Sequence, residues 1–245
     1  MIICHRHRFI FIKTRKTASS SVEIGLSRVC GPADVVTTLS RKSGDEELRA
    51  AEGGFGPVNW QKPIREHRGW REWKRLLLRR ERAQRFAPHT TIARLRELLP
   101  ASMLEEYFVF TLERNPWDRA VSRYFWQKHR WERGGRTDFP PIGAFLEQVA
   151  RDKPHWLSNW HHYSIDGRVA VDRVLRYENL AQELAALREE LGIDGNIALP
   201  AKRAKGGHRS EKARYQEILG PAERELVARI CASEIEAFGY RFDEP

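Results

Sequence analysis

The sequence predicts an α/β protein: one three-layer domain with a central, mainly parallel sheet flanked by helices. Three observations carry this. Short, wholly apolar runs rich in β-branched and aromatic residues occur at Phe9–Ile12 and Tyr107–Leu112, and such runs read as strands buried on both faces. Each passes at once into a polar loop and then into apolar residues at helical spacing. Repeated strand–loop–helix units imply parallel strands with helices packed across them. A length of 245 residues suits one such domain. It is taken as residues 1–245 with a variable basic insertion at about 40–85.

In chain order, Phe9–Ile12 is the first strand. The polar loop Lys13 to Ser20 follows, then Val22, Leu26 and Val29 mark a helix that Gly31-Pro32 ends. Thr37 to Gly56 is polar, contains glycine and reads as loop. Lys62 to Arg85 carries ten Lys or Arg and three Glu among Trp70, Trp73 and Leu76-Leu77-Leu78. It reads either as a surface helix with snorkelling arginines or as a surface for an anionic partner. A helix is expected from Thr91 to Leu99. The second strand follows and leads into Glu113-Arg114-Asn115-Pro116, where proline suits the first turn of the next helix. Val169 to Leu175 is a third strand, ending in Arg176-Tyr177-Glu178-Asn179. Leu180, Leu184, Leu187 and Leu191 then space an amphipathic helix closed by Gly192. Lys202 to Arg214 is a basic loop, and Pro221 opens a last helix.

Composition excludes several classes. Hydrophobic residues at 41% and charged residues at 31% mark a globular chain. No stretch approaches the ~20 apolar residues of a membrane span, and no signal peptide is visible. A soluble, intracellular, cytoplasmic protein is expected. Cys4, Cys30 and Cys231 are scattered without CxxC spacing, which suggests neither a zinc site nor a disulfide framework. Lys and Arg total 43 against 33 acidic residues, a net charge of +10. That excess fits either a solvated basic face or a partner rich in phosphate, sulfate or carboxylate.

Ligands of parallel sheets bind at the carboxyl ends of the strands, so the loops after Ile12 and Leu112 are expected on one edge. In the first, Arg15, Lys16, Thr17, Ala18, Ser19, Ser20 and Ser21 join strand to helix. Small residues allow a tight turn, the helix start offers free N–H groups to an anion, and the hydroxyls and Lys16 add donors and charge. The alternative is a serine-rich helix cap with a solvent lysine. A GxxxxGK[ST] motif is absent, which disfavours a nucleoside-triphosphate kinase or ATPase. In the second loop Arg114 can grip a phosphate through two parallel hydrogen bonds, with Ser122 eight residues on in the helix. The alternative is an ion-paired Arg114 and a neutral Ser122.

Together the loops resemble those of the sulfotransferase family that uses 3′-phosphoadenosine 5′-phosphosulfate (PAPS). Lys16-Thr17-Ala18-Ser19-Ser20 resembles its 5′-phosphosulfate loop. Arg114-Asn115-Pro116-Trp117-Asp118-Arg119-Ala120-Val121-Ser122 resembles its 3′-phosphate motif. Leu175 to Leu180 and Ile235 to Phe242 are also similar, most closely to the carbohydrate-type branch and its bacterial members. Arg15 departs from the proline that many members carry before the lysine. The resemblance implies a P-loop-like fold. It also implies PAPS as donor with 3′,5′-adenosine bisphosphate (PAP) as product, no metal, and a hydroxyl or amine acceptor on a glycan or small, carbohydrate-like or anionic metabolite.

The chemistry needs a charge on the departing phosphate and a base for the acceptor. Lys16 is the candidate for the first. His89, just before a helix and ahead of the second strand, resembles the family's base-bearing segment; a purely local capping role is the alternative, and His162 is the second candidate base. Arg209 and Ser210 are the candidates in a late loop that closes over the nucleotide. Two other classes stand beside this reading. A nucleic-acid-binding module would use Lys62 to Arg85 but has no base-reading motif, so no nucleic acid is expected. A small-molecule kinase would need a Mg²⁺-holding carboxylate near the first loop, and none is evident.

Overall fold

The computed structural model describes residues 1–40, 43–79, 82–201 and 213–244. Five strands form its main sheet: β1 (Ile2–Cys4), β2 (Phe9–Ile12), β3 (Val35–Val36), β4 (Phe108–Glu113) and the strand Arg173–Arg176, in the spatial order β3, β1, β2, β4, Arg173–Arg176. β2 runs parallel to β4 and β4 to Arg173–Arg176, whereas β1 is antiparallel to both neighbours. Four of the five strands therefore point one way, and the expectation of a mainly parallel sheet holds.

Alternation along the strands builds two cores. Phe9, Phe11, Phe110 and Leu112 face α1 (Ser19–Ser27) and the helix Leu180–Glu190, through Val22, Leu26, Leu184 and Leu187. Ile10, Ile12 and Val109 face the other way, onto Ile92 and Leu95. Those two belong to the fourth helix. In chain order the helices up to this point are α2 (Asp45–Ala51), α3 (Trp70–Arg79) and α4 (Ile92–Leu98). Next come α5 (Ala101–Glu106), α6 (Pro116–Glu132), α7 (Ile142–Asp152) and α8 (Trp160–Tyr163). A hairpin of β5 (Ser164–Ile165) and β6 (Arg168–Val169) precedes β7, the Arg173–Arg176 strand, and α9 is Leu180–Glu190. The chain closes with α10 (Tyr215–Ile218), α11 (Pro221–Ile230) and α12 (Ala232–Phe238). A third core joins α6, α7 and α11 through Val121, Leu146 and Val227.

Several expectations are corrected. Thr37 to Gly56 is not all loop: α2 lies within it, and Arg49 is buried because it pairs with Glu23 and Glu46. Val169 to Leu175 is not one strand. Val169 ends the β5–β6 hairpin, and β7 starts only at Arg173. The last helix breaks at Cys231 into α11 and α12. α1 ends at Ser27, so Val29 lies beyond it. Two of the three scattered cysteines meet in space: ligand atoms of Cys4, Cys30 and Asp34 lie within 4.8 Å of one another, whereas Cys231 belongs to the third core. In the basic segment, α3 leaves Trp70, Trp73, Leu77 and Leu78 exposed. Among the described residues no helix is long and apolar enough to cross a membrane.

Candidate active site

The parallel register of β2, β4 and β7 delivers three strand ends to one edge of the sheet, pairing Ile12 with Thr111 and Glu113 with Arg176. The loops that follow converge there. The first makes two left-handed turns without glycine, at Lys16 (φ 63°) and Ala18 (φ 58°). Such conformations cost a non-glycine residue free energy and persist only where the surroundings impose them. Those surroundings are visible. Asn159 clasps Arg15 from both sides, accepting from its N–H and donating to its carbonyl, each at 3.0 Å. The Thr14 hydroxyl donates to the Leu112 carbonyl at 2.6 Å. Its proton being spent there, Thr17 is the donor in the 2.8 Å bond between the two threonine hydroxyls.

This revises the roles expected of the hydroxyls. Thr17 and Ser19 shape the loop, the latter by donating to the Thr14 carbonyl at 2.6 Å. Ser20 is the hydroxyl that makes no hydrogen bond within the described residues. Ala18 caps α1 without a side-chain bond, and no acidic residue stands in the helix's first turn. The N-terminal N–H groups and the helix dipole thus face the loop unopposed by a carboxylate there.

The second loop reaches the first directly: Arg114 Nη1 donates to the Lys16 carbonyl at 3.3 Å. Its guanidinium also bonds Asp118 at 2.9 and 2.5 Å and lies 4.1 Å from the centre of the Tyr177 ring. Arg114 is therefore ion-paired, as its alternative reading holds, yet it stands at the junction of both loops. Ser122 follows Asp118 by four residues, on the same side of α6. Asn115 caps α6 by accepting from the N–H groups of Trp117 and Asp118. Glu178 holds Asn115 in turn, accepting its N–H at 2.6 Å. Tyr177 and Glu178 were visible only as a strand–helix junction, and Asn159 carried no sequence signal.

His89 joins this edge from α4. A turn closed by Thr90 on Ala87 places it, and Thr91, not His89, caps the helix. A local capping role is thereby excluded, since its ring bond is long-range: Nδ1 lies 2.9 Å from the Lys13 carbonyl. A carbonyl only accepts, so Nδ1 carries the proton and Nε2 presents its lone pair. Burial, reinforced by Lys13, pushes the His89 pKa down to about 3, so the imidazole is neutral at neutral pH. His162 lies beside it, ring centres 5.9 Å apart, with both nitrogens buried and unpartnered. Burial and then His161 lower its pKa to about 2. Lys13 itself is buried against Glu23 at 2.7 Å. Arg209 and Ser210 lie outside the described residues.

Two polar loops and a neutral imidazole thus meet at one sheet edge. The sequence comparison supplies the class. Residues 1–241 match the model of the sulfotransferase family. The chain belongs to that family, and its general chemistry is sulfuryl transfer. It is also 28% identical over 100 residues to an uncharacterized protein of Archaeoglobus fulgidus, a stretch covering 40% of this chain and 79% of that protein. No solved structure matches the chain.

Proposed function

We propose that this enzyme transfers a sulfuryl group from PAPS to a hydroxyl acceptor. The observation that carries the reading is the contact of the two loops at Arg114 and Lys16, with the His89 ring held on the Lys13 carbonyl at the start of the first loop. The donor supplies an activated sulfuryl group on a phosphate that departs as PAP. Ser20, the N–H groups at the start of α1 and Lys16 hold the 5′ end, and Lys16 neutralises charge building on the departing oxygen. Arg114 and Ser122 hold the 3′-phosphate, with Tyr177 fixing the guanidinium plane and Asp118 ceding part of its pairing. His89 accepts the acceptor's proton at Nε2 while the Lys13 carbonyl keeps Nδ1 protonated.

The test is nucleotide binding without metal. PAP at millimolar concentration should raise the melting temperature, by linkage of ligand to the native state, and ATP–Mg²⁺ should not. A shift with ATP–Mg²⁺ and none with PAP would refute the reading. By isothermal titration, Arg114→Ala should bind PAP more weakly, and Ser122→Ala should lose less, about 1–3 kcal/mol. Unchanged affinity in Arg114→Ala would remove the second loop from the donor site.

A further inference from the structure

Arg119 and Arg123 stand one turn apart on α6 and are both buried, at 2% and 5% exposure. Their surroundings differ. Arg119 pairs with Glu113 and, at 3.0 Å, with Glu234. No carboxylate pairs with Arg123 among the described residues. Its Nε and Nη2 reach only the Trp156 carbonyl, at 3.4 and 3.3 Å, long for charge-assisted bonds. The guanidinium lies between two indoles, 5.7 Å from the centre of Trp126 and 4.9 Å from that of Trp156. Burial, with Arg15 and Arg119 nearby, lowers its pKa to about 10, so it remains a cation at neutral pH. Buried charges in proteins are ordinarily paired, and this one has no counter-ion among the described residues.

Trp126 gathers further cations. Lys16 Nζ is 5.4 Å from its ring centre and the Arg130 guanidinium 4.8 Å. Ser122, Trp126 and Arg130 follow at steps of four and so form one ridge of α6. That ridge leads from the Arg114 loop to a chamber of about 700 Å³ between α6 and α7. Arg130, Trp131, Phe139, Lys153 and Trp156 are among its walls, with one carboxylate, Asp152, and Arg123 adjoins it through Trp156. Arg130 and Trp156 thus belong both to the cation cluster and to the chamber. A space of this size takes a small molecule of a ring or two, and its aromatic walls favour one with a flat face.

We infer that Arg123, between Trp126 and Trp156, receives an anionic group carried by the acceptor itself, and that the acceptors are small ring-bearing hydroxy acids. The word acceptor rests on the sulfotransferase reading; the anion site does not. A planar guanidinium meets a carboxylate through two parallel hydrogen bonds, and the Trp156 carbonyl and the two nearby indoles restrict its movement. The acid is thereby anchored beside Lys16, and its hydroxyl is left for the donor side of the cleft.

The experiment is a tryptophan-fluorescence titration of the PAP-saturated protein with two hydroxy acids, 4-hydroxyphenylacetate and glucuronate, and with the methyl ester of each. The wild type should bind at least one acid about tenfold or more tightly than its ester, the worth of a charge-assisted bond. The two arms distinguish an aromatic from a sugar ring. Arg123→Met should abolish the preference, keep PAP affinity within about twofold, and melt at or above the wild type, because an uncompensated buried charge is gone. Arg130→Gln, at the exposed rim, should weaken acid binding several-fold with an unchanged melting temperature. Equal binding of acid and ester, or no binding of either acid, overturns the inference. So does an acid preference that survives in Arg123→Met, or a parallel loss of PAP affinity there, which would place Arg123 in the donor site. If the wild type fails to bind PAP, the sulfotransferase reading falls instead, and the same titration without PAP still decides the anion site.

Discussion

The surroundings of His89 fix both its tautomer and its charge. Its proton is fixed on Nδ1 by a carbonyl 76 residues away in sequence, and burial beside Lys13 keeps the ring neutral. A neutral imidazole with a free lone pair is the form a general base needs. His89→Ala should bind PAP as the wild type does and lose about 10²–10⁴ in turnover, measured with any accepted hydroxyl substrate. The low pKa makes a second prediction. The free enzyme's kcat/KM should show no acid limb near the ordinary histidine value of 6.5; the limb should lie well below it. A limb at 6.5 that disappears in His89→Ala would show that the ring titrates as an exposed histidine. His89 is singled out in the sequence by its resemblance to the sulfotransferase base-bearing segment. Its partner is not, because a contact between Lys13 and His89 is set by the docking of α4 on the sheet.

At the scale of elements, the first loop makes its tight turn through residues that resist it. Lys16 and Ala18 both adopt the left-handed region, where a branched side chain suffers more than alanine and glycine suffers nothing. Ala18→Val should therefore destabilise the protein by about 1–2 kcal/mol and weaken PAP binding. Ala18→Gly should change stability by no more than about 1 kcal/mol, since relief of the backbone is offset by greater freedom of the unfolded chain. Urea unfolding of both variants decides this, and equal stability would mean that Ala18 leaves the left-handed region in solution. Strands β2 and β4 were legible because both faces are buried and the runs are apolar throughout. β1 was hidden by the basic turn that follows it, and β3 by its length of two residues. α2 was hidden because its buried face is held by Arg49 and Glu23, ionic residues that hydrophobic periodicity does not count. The β5–β6 hairpin merged with β7 because Val169 to Leu175 contains no turn residue stronger than Asp172.

At the scale of the whole molecule, one buried network joins the sheet edge to the C-terminal helices. Arg119 pairs with Glu113 at the end of β4 and with Glu234 in α12. Glu234 also accepts from the Ser158 hydroxyl and the Asn159 N–H, at 2.7 and 2.9 Å, and Asn159 holds the first loop. Removing the cation alone would strand two buried carboxylates. Arg119→Met should cost about 3–5 kcal/mol by chemical denaturation, in contrast to the stabilisation expected of Arg123→Met one turn away. None of these partners could be read from the sequence, since each lies on a different element and only the assembled fold brings them together.

The buried histidines and the amino terminus, whose pKa burial lowers to about 5, weaken the fold on acidification. His89 and His162 have native pKa values near 3 and 2, below the unfolded value of about 6.5. As pH falls below 6.5 the unfolded chain takes up a proton at each while the native state does not. Stability therefore rises with pH across this window and is lost on acidification, by at most about 1.4 kcal/mol per pH unit for each histidine. Glu23, held near 2 because Lys13, the amino terminus and Arg49 outweigh burial, adds to the loss only below the ordinary carboxylate range. Burial raises the Glu113 pKa and so acts in the opposite sense, which makes a difference between variants the cleaner measure. His162→Phe replaces a ring with two unpartnered buried nitrogens by an apolar ring of similar shape. It should melt higher than the wild type at pH 7, because no polar group is left unsatisfied, and lose less stability than the wild type between pH 6.5 and 5. It should also keep its turnover if His89 is the base. A parallel pH slope in the two proteins would show that His162 is protonated in the native state, and loss of turnover at normal PAP affinity would pass the role of base from His89 to His162.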